Sequence, residues 1–209
     1  MLRFRTAAML LLLFLCPLMA QAQGETVLFG RGSDGAPLSF RVLTESGDAV
    51  LLLSEEGLQN VPYHDKKKKD VTWESCSLRA YLNGEYLFAA FSPEEQSSIL
   101  LVELSNPETY GTPGGNSTQD RIFLLSREEL YSLMPTRVER IARASAATAP
   151  LGGFVSAHGQ CLYWLRSPGV DAQHAMAVSI TGLAESHSVL AQDICIRPAM
   201  WVRREALGL

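Results

Sequence analysis

Cys76, Cys161 and Cys195, with His64, His158, His174 and His187, are the side chains of this 209-residue chain best suited to act as nucleophiles or metal ligands. Their spacing points to neither role. There is no Cys-x-x-Cys, no His-Glu-x-x-His and no other pattern that would gather zinc ligands. No Gly-x-Ser-x-Gly elbow or phosphate-cradling lysine loop occurs. A thiol becomes reactive when a helix start or a neighbouring cation stabilises its thiolate, and no cysteine stands in a glycine-rich or helix-start context. Gly30-Arg31-Gly32-Ser33-Asp34-Gly35 matches Gly-x-Gly-x-x-Gly literally. It runs into an alternating strand instead of a helix whose N-terminus could meet a pyrophosphate, so it reads as a turn.

Two other segments concentrate recognition chemistry. Leu162-Tyr163-Trp164-Leu165-Arg166-Ser167-Pro168-Gly169 places aromatics and an arginine at a strand end, and Ile194-Cys195-Ile196-Arg197-Pro198-Ala199-Met200-Trp201 repeats the arrangement. Arg166 and Arg197 either pair internally and lock the core or line a ligand surface with Trp164, and the structural role is favoured because buried charges persist only when paired. Residues 105–120 are polar and glycine-rich, a long loop of the kind that carries function in compact domains. Its Glu108, Asn116 and Asp120 carry oxygens that suit calcium. Asn and Asp also mark turns by capping local backbone, which is the preferred reading, and no cofactor is expected.

The elements that must position these residues are strands and short helices. Leu38, Phe40 and Val42 alternate with Ser39 and Arg41, and Ala49 to Leu53 answers them across Thr44 to Asp48, which predicts a hairpin. A helix is expected over Cys76 to Leu82, stopped by Asn83-Gly84. Ser92 with Glu95, Ser126 with Glu129 and Thr136 with Glu139 are capping boxes. The last of them is expected to open an alanine-rich helix ending before Pro150. Strands are expected at Arg121 to Leu125, Cys161 to Arg166, Ala175 to Ile180 and Ile194 to Val202. No repeat or linker divides the chain, so the expectation is one α+β domain over residues 23–209.

Residues 1–22 read as a cleavable signal peptide. Arg3 and Arg5 precede the apolar run Ala7 to Leu15, and Ala20-Gln21-Ala22 offers the small residues a signal peptidase needs. The run is too short for a span, and Phe14 and Leu15 are too bulky for Cys16 to be a lipid anchor. Cleavage removes two of the 18 basic residues and none of the 22 acidic ones, leaving a formal charge of −6. That balance argues against nucleic acid as a partner. The four lysines Lys66 to Lys69 read as a solvated loop. A secreted, extracytoplasmic location is therefore expected, with no membrane span in the mature chain.

Trp164 to Gly169 (WLRSPG) and Ile196 to Trp201 (IRPAMW) resemble the hallmarks of a family of bacterial exported domains, domain of unknown function 6273. Thr72 to Tyr86, Ala90 to Ile99 and Tyr110 to Glu129 resemble further segments of that family, in the same order. The order of elements is more distantly similar to C-type-lectin-like domains. This resemblance implies a single C-type-lectin-like α+β domain with a mixed or antiparallel sheet and flanking short helices. The family itself implies no activity; the lectin-like likeness points to a non-catalytic recognition module for an extracellular glycan or protein, and the long loop and aromatic segments put Asn106, Asn116, Asp120, Trp164, Arg166 and Arg197 forward as the expected ligand-binding residues. The resemblance also brings the strands of Cys161 and Cys195 together, to disulfide distance. The alternatives are an enzyme akin to the formylglycine-generating branch of that fold, using Cys161 or Cys195, and a purely structural envelope module.

Overall fold

Phe40 and Val42 are fully buried while Ser39 and Arg41 are half-exposed, so the period-2 pattern organises the first sheet as expected. A computed structural model describes residues 24–148 and 153–209; the expected leader lies outside the described residues. Strands β1 (Thr26–Arg31), β2 (Pro37–Ser46) and β3 (Ala49–Ser54) form an antiparallel meander. The Gly-x-Gly-x-x-Gly segment is the turn between β1 and β2, closed by Gly32 N–H donating to Ala36 O at 2.8 Å. Every residue of β3 is buried. That is why it reads as a continuous apolar run and not as an alternation. Its other edge pairs antiparallel with the last strand of the chain, Met200 opposite Leu52.

The helix that begins at Ser77 does not stop at Asn83-Gly84. α1 (Ser77–Tyr81) passes through a π-helical turn, Leu82–Tyr86, into α2 (Leu87–Ala90). Asn83 is spent on tertiary bonds instead of a cap: its Oδ1 accepts from Arg121 N–H at 2.8 Å and Ile122 N–H at 3.2 Å, and its Nδ2 donates to Ile122 O at 2.8 Å. α3 (Pro93–Ser98) follows with its capping box formed.

β5 (Val102–Leu104) and β6 (Thr118–Asp120) pair antiparallel, and the polar loop connects them. Arg121 to Leu125 is not a regular strand; Phe123 bridges Ala199 and the chain enters α4 (Arg127–Leu133). α5 (Arg137–Arg140) is capped by Thr136 and Glu139 but lasts four residues. The alanine-rich stretch after it forms β7 (Ala142–Ala144), because pairing with two neighbours outweighs alanine's helix preference. Those neighbours are β4 (Glu56–Gly57), parallel to it, and β8 (Gln160–Cys161), antiparallel.

β9 (Tyr163–Pro168), β10 (His174–Val178) and β11 (Ala184–Ser188) make a third antiparallel unit, and β12 (Ala199–Arg203) closes the first sheet. One buried core joins these sheets, with Trp73, Tyr63, Trp164, Phe40 and Phe123 among its largest members. The architecture is α+β. Among the described residues no helix is long and apolar enough to cross a membrane, and Lys66 to Lys69 are exposed.

Candidate functional site

Five of the six residues expected to bind a ligand are interior. Trp164 is fully buried; its Nε1–H donates to Val61 O at 2.9 Å and its ring meets Tyr63 edge-on at 5.6 Å. Arg166, 4% exposed, forms a two-pronged ion pair with Glu129 and donates to Leu124 O at 3.0 Å. Arg197, 1% exposed, donates to Ser54 O at 2.7 Å and lies over the Tyr163 ring. Asp120 is fully buried and accepts from Arg79 Nε at 2.6 Å, Trp73 Nε1 at 2.9 Å and the Thr118 hydroxyl at 2.8 Å. Asn106 ties the loop to itself by donating to Asn116 O at 2.7 Å. Only Asn116 is exposed, and its amide donates to Glu74 at 3.1 Å. The chain's own carbonyls and carboxylates occupy most of their polar atoms, Asn106 Oδ1 and Arg166 Nε excepted, so they frame the core. Among the described residues no three His, Cys, Asp or Glu side chains cluster as a metal site.

A cleft lies elsewhere, between the β1–β2 turn, β4, the π-helical turn and residues 145–148, with a volume of about 440 Å³. Tyr81 and Tyr86 line it, their rings 6.1 Å apart. Five residues apart in a regular α-helix they would point roughly 140° away from each other, since 3.6 residues make a turn. The wider π turn brings them toward a shared face, a device common where helices carry function. Tyr81 O–H donates to Gln59 Oε1 at 2.5 Å. The buried Tyr86 hydroxyl has no hydrogen-bond partner among the described residues. Such an orphan costs free energy unless something satisfies it.

Two carboxylates, Glu56 and Glu85, stand at this cleft without an ion-pair partner among the described residues. Burial, and then the neighbouring Glu55 charge, hold the Glu56 carboxyl above the usual carboxylate range. Glu55 itself is neutralised by Arg41, with N···O distances of 2.9 and 2.7 Å. Arg31 also lines the cleft, and it donates to Gly35 O at 3.1 Å. The wall is thus apolar and aromatic with a net acidic rim. Periodicity could not reveal it, because the π turn breaks the 3.6-residue register; two tyrosines and two glutamates in polar surroundings were its only trace.

On the inner side of β4 lies a pair of thiols. Cys161 and Cys195 are both buried free thiols, and both pack against Gly57. Gly57 has to be glycine here: a Cβ would press into the Cys161 Sγ and lie 3.0 and 3.2 Å from the Cys195 Cβ and Sγ. Gly57→Ala is therefore expected to cost about 1–3 kcal/mol by overpacking, read as a lower midpoint in denaturant unfolding. The neighbouring Cys195 thiol, aided by the Arg197 charge, pulls the Cys161 thiol down against its burial, while Cys161 and burial push Cys195 up. Cys76 departs from expectation in position: it is the N-cap of α1, its sulfur accepting from Arg79 N–H at 3.4 Å. Burial nevertheless pushes that thiol up to about 12, so the helix start does not activate it.

Fold and cleft together define an α+β domain with a closed core and a small-ligand-sized opening at its surface. The chain belongs to the family described as a domain of unknown function (DUF6273), whose profile matches residues 47–204. No curated protein matches the chain, and no solved structure does.

Proposed function

We propose that this is an extracytoplasmic, non-catalytic recognition domain that takes a small amine-bearing ligand into the Tyr81–Tyr86 cleft. The orphaned hydroxyl of Tyr86, a residue that lines the same cleft as two unpaired glutamates, carries the reading. An apolar body would cover the aromatic wall, a ligand acceptor would satisfy the hydroxyl, and the cationic amine would meet Glu56 or Glu85. A volume of about 440 Å³ suits one sugar ring or one or two amino-acid residues. Export follows from the leader-like residues 1–22. A C-type-lectin-like arrangement belongs to the same reading, supported by the chain order α4, β9, β10, β12 and the return of β12 to the N-terminal hairpin.

The test is calorimetry and thermal shift with amino sugars and short peptides with free N-termini, each against its N-acetylated counterpart. Amines are expected to raise the melting temperature and the acetylated forms not to. Glu56→Gln and Glu85→Gln should each weaken binding on the order of tenfold, the loss of one charge contact. Affinity should rise with pH as Glu56 ionises above the usual carboxylate range. Because its folded pKa is raised, ionising Glu56 lowers stability as pH climbs through that value, so Glu56→Gln is not expected to melt lower at pH 7. Weaker binding without a lower melting temperature separates recognition from folding. Equal binding of amines and acetylated forms, or of wild type and both variants, would reject the acidic rim as the recognition element. A panel that binds nothing would reject the cleft.

A further inference from the structure

We propose that Cys161 and Cys195 are a site of oxidative modification, joined as a disulfide that staples β8 to the chain leading into β12. Backbone pairing brings them together. Cys195 N–H donates to Leu162 O at 2.9 Å and Trp164 N–H donates to Cys195 O at 3.0 Å, so Cys195 lies opposite Tyr163 in a parallel bridge. Cys161, two residues back along the same line, projects to the same face. The missing Cβ of Gly57 leaves the space that both sulfurs use. Around them, the Cys195 thiol donates to Asn60 Oδ1 at 3.2 Å, and the Cys161 thiol faces Ala142 O at 3.9 Å.

One cysteine thiolate attacks one sulfur of a low-molecular-weight disulfide such as glutathione disulfide, forming a mixed disulfide and releasing one thiolate. The thiolate of the other cysteine then displaces the second thiol and closes the protein bond. Two electrons pass to the oxidant, which leaves as two thiols carrying the two protons of the cysteines. Both sulfurs are closed from solvent in the fold. Exchange accordingly precedes closure of the core, and the finished bond resists reductant while the protein stays folded. Cys76, capping α1 elsewhere in the core, stays a thiol.

Full-length protein refolded in a glutathione redox buffer, then denatured and alkylated without reductant, tests this by peptide mapping. Cys76 is expected to label at once. Cys161 and Cys195 should appear as one linked peptide pair, about 2 Da lighter than the two free peptides, and label only after reduction. Closing a loop of roughly 35 residues should raise the melting temperature by about 10 °C over the unalkylated protein held in reductant. The comparison uses wild type in two redox states, so no variant has to fold. Cys161→Ser supplies a check: refolded alongside, it should leave Cys195 labelled without reductant. Labelling of both cysteines in oxidatively refolded wild type, or a link from either to Cys76, overturns the proposal. A linked pair whose melting temperature does not fall on reduction overturns its role as a staple.

Discussion

Asp120→Ala is expected to destabilise the domain by about 3–5 kcal/mol, the cost of stripping a buried charge from its partners. The carboxylate is fully buried at the end of β6 and receives three strong donors from three places: Arg79 on α1 at 2.6 Å, the Trp73 indole at 2.9 Å and the Thr118 hydroxyl at 2.8 Å. Removing it leaves the Arg79 guanidinium, only 26% exposed, and the buried indole N–H without their acceptor. Asp120→Asn keeps the shape and loses the charge, so it should fall between the two. Urea unfolding measures both. If Asp120→Ala unfolds within about 1 kcal/mol of wild type, the carboxylate is not the structural knot its geometry describes.

Trp164→Ala should cost a similar amount, about 3–5 kcal/mol, for a different reason. The side chain is fully buried beside Tyr63, and its indole satisfies Val61 O. Truncation leaves a cavity too enclosed to collapse and an orphaned carbonyl, two penalties that add. Trp164→Phe refills most of the volume and should recover part of the loss, leaving the unpaired carbonyl. Melting temperatures of the two variants separate the terms. Because Trp164 stands in the core and not in the Tyr81–Tyr86 cleft, the Phe variant should bind cleft ligands as wild type does; weaker binding would mean that Trp164 reaches the site.

Local rules are readable from the chain wherever the interaction is local. The Ser92–Glu95, Ser126–Glu129 and Thr136–Glu139 boxes all form, because a cap involves residues three positions apart and needs no partner from elsewhere. The β2–β3 hairpin and the turn character of Gly30 to Gly35 follow from alternation and glycine in the same way. The family is legible too, and a profile match over residues 47–204 shows it. Where local preference met a tertiary competitor, the sequence pointed the wrong way. Asn83-Gly84 has the chemistry of a helix stop, but the Arg121 and Ile122 amides needed an acceptor, and the helix ran on through a π turn to supply it. Ala142 to Ala144 has the composition of a helix, but β4 and β8 offered it two edges.

The site itself was decided by such competition. Residue type leaves both roles open to Trp164, Arg166 and Arg197, with internal pairing the favoured one for the arginines, and the fold brings Val61 O, Glu129 and Ser54 O to them. Burial is a property of the whole chain's packing, so no window around Trp164 could separate a ligand face from a core. The cleft has the converse history. Tyr81, Tyr86, Glu56 and Glu85 come from two separate stretches of chain with no shared period, and only the π turn and the placement of β4 set them around one space. The sequence by itself determined the caps, the first hairpin and the family; the tertiary structure decided which polar groups found an internal partner, because burial and pairing belong to the packing of the whole chain.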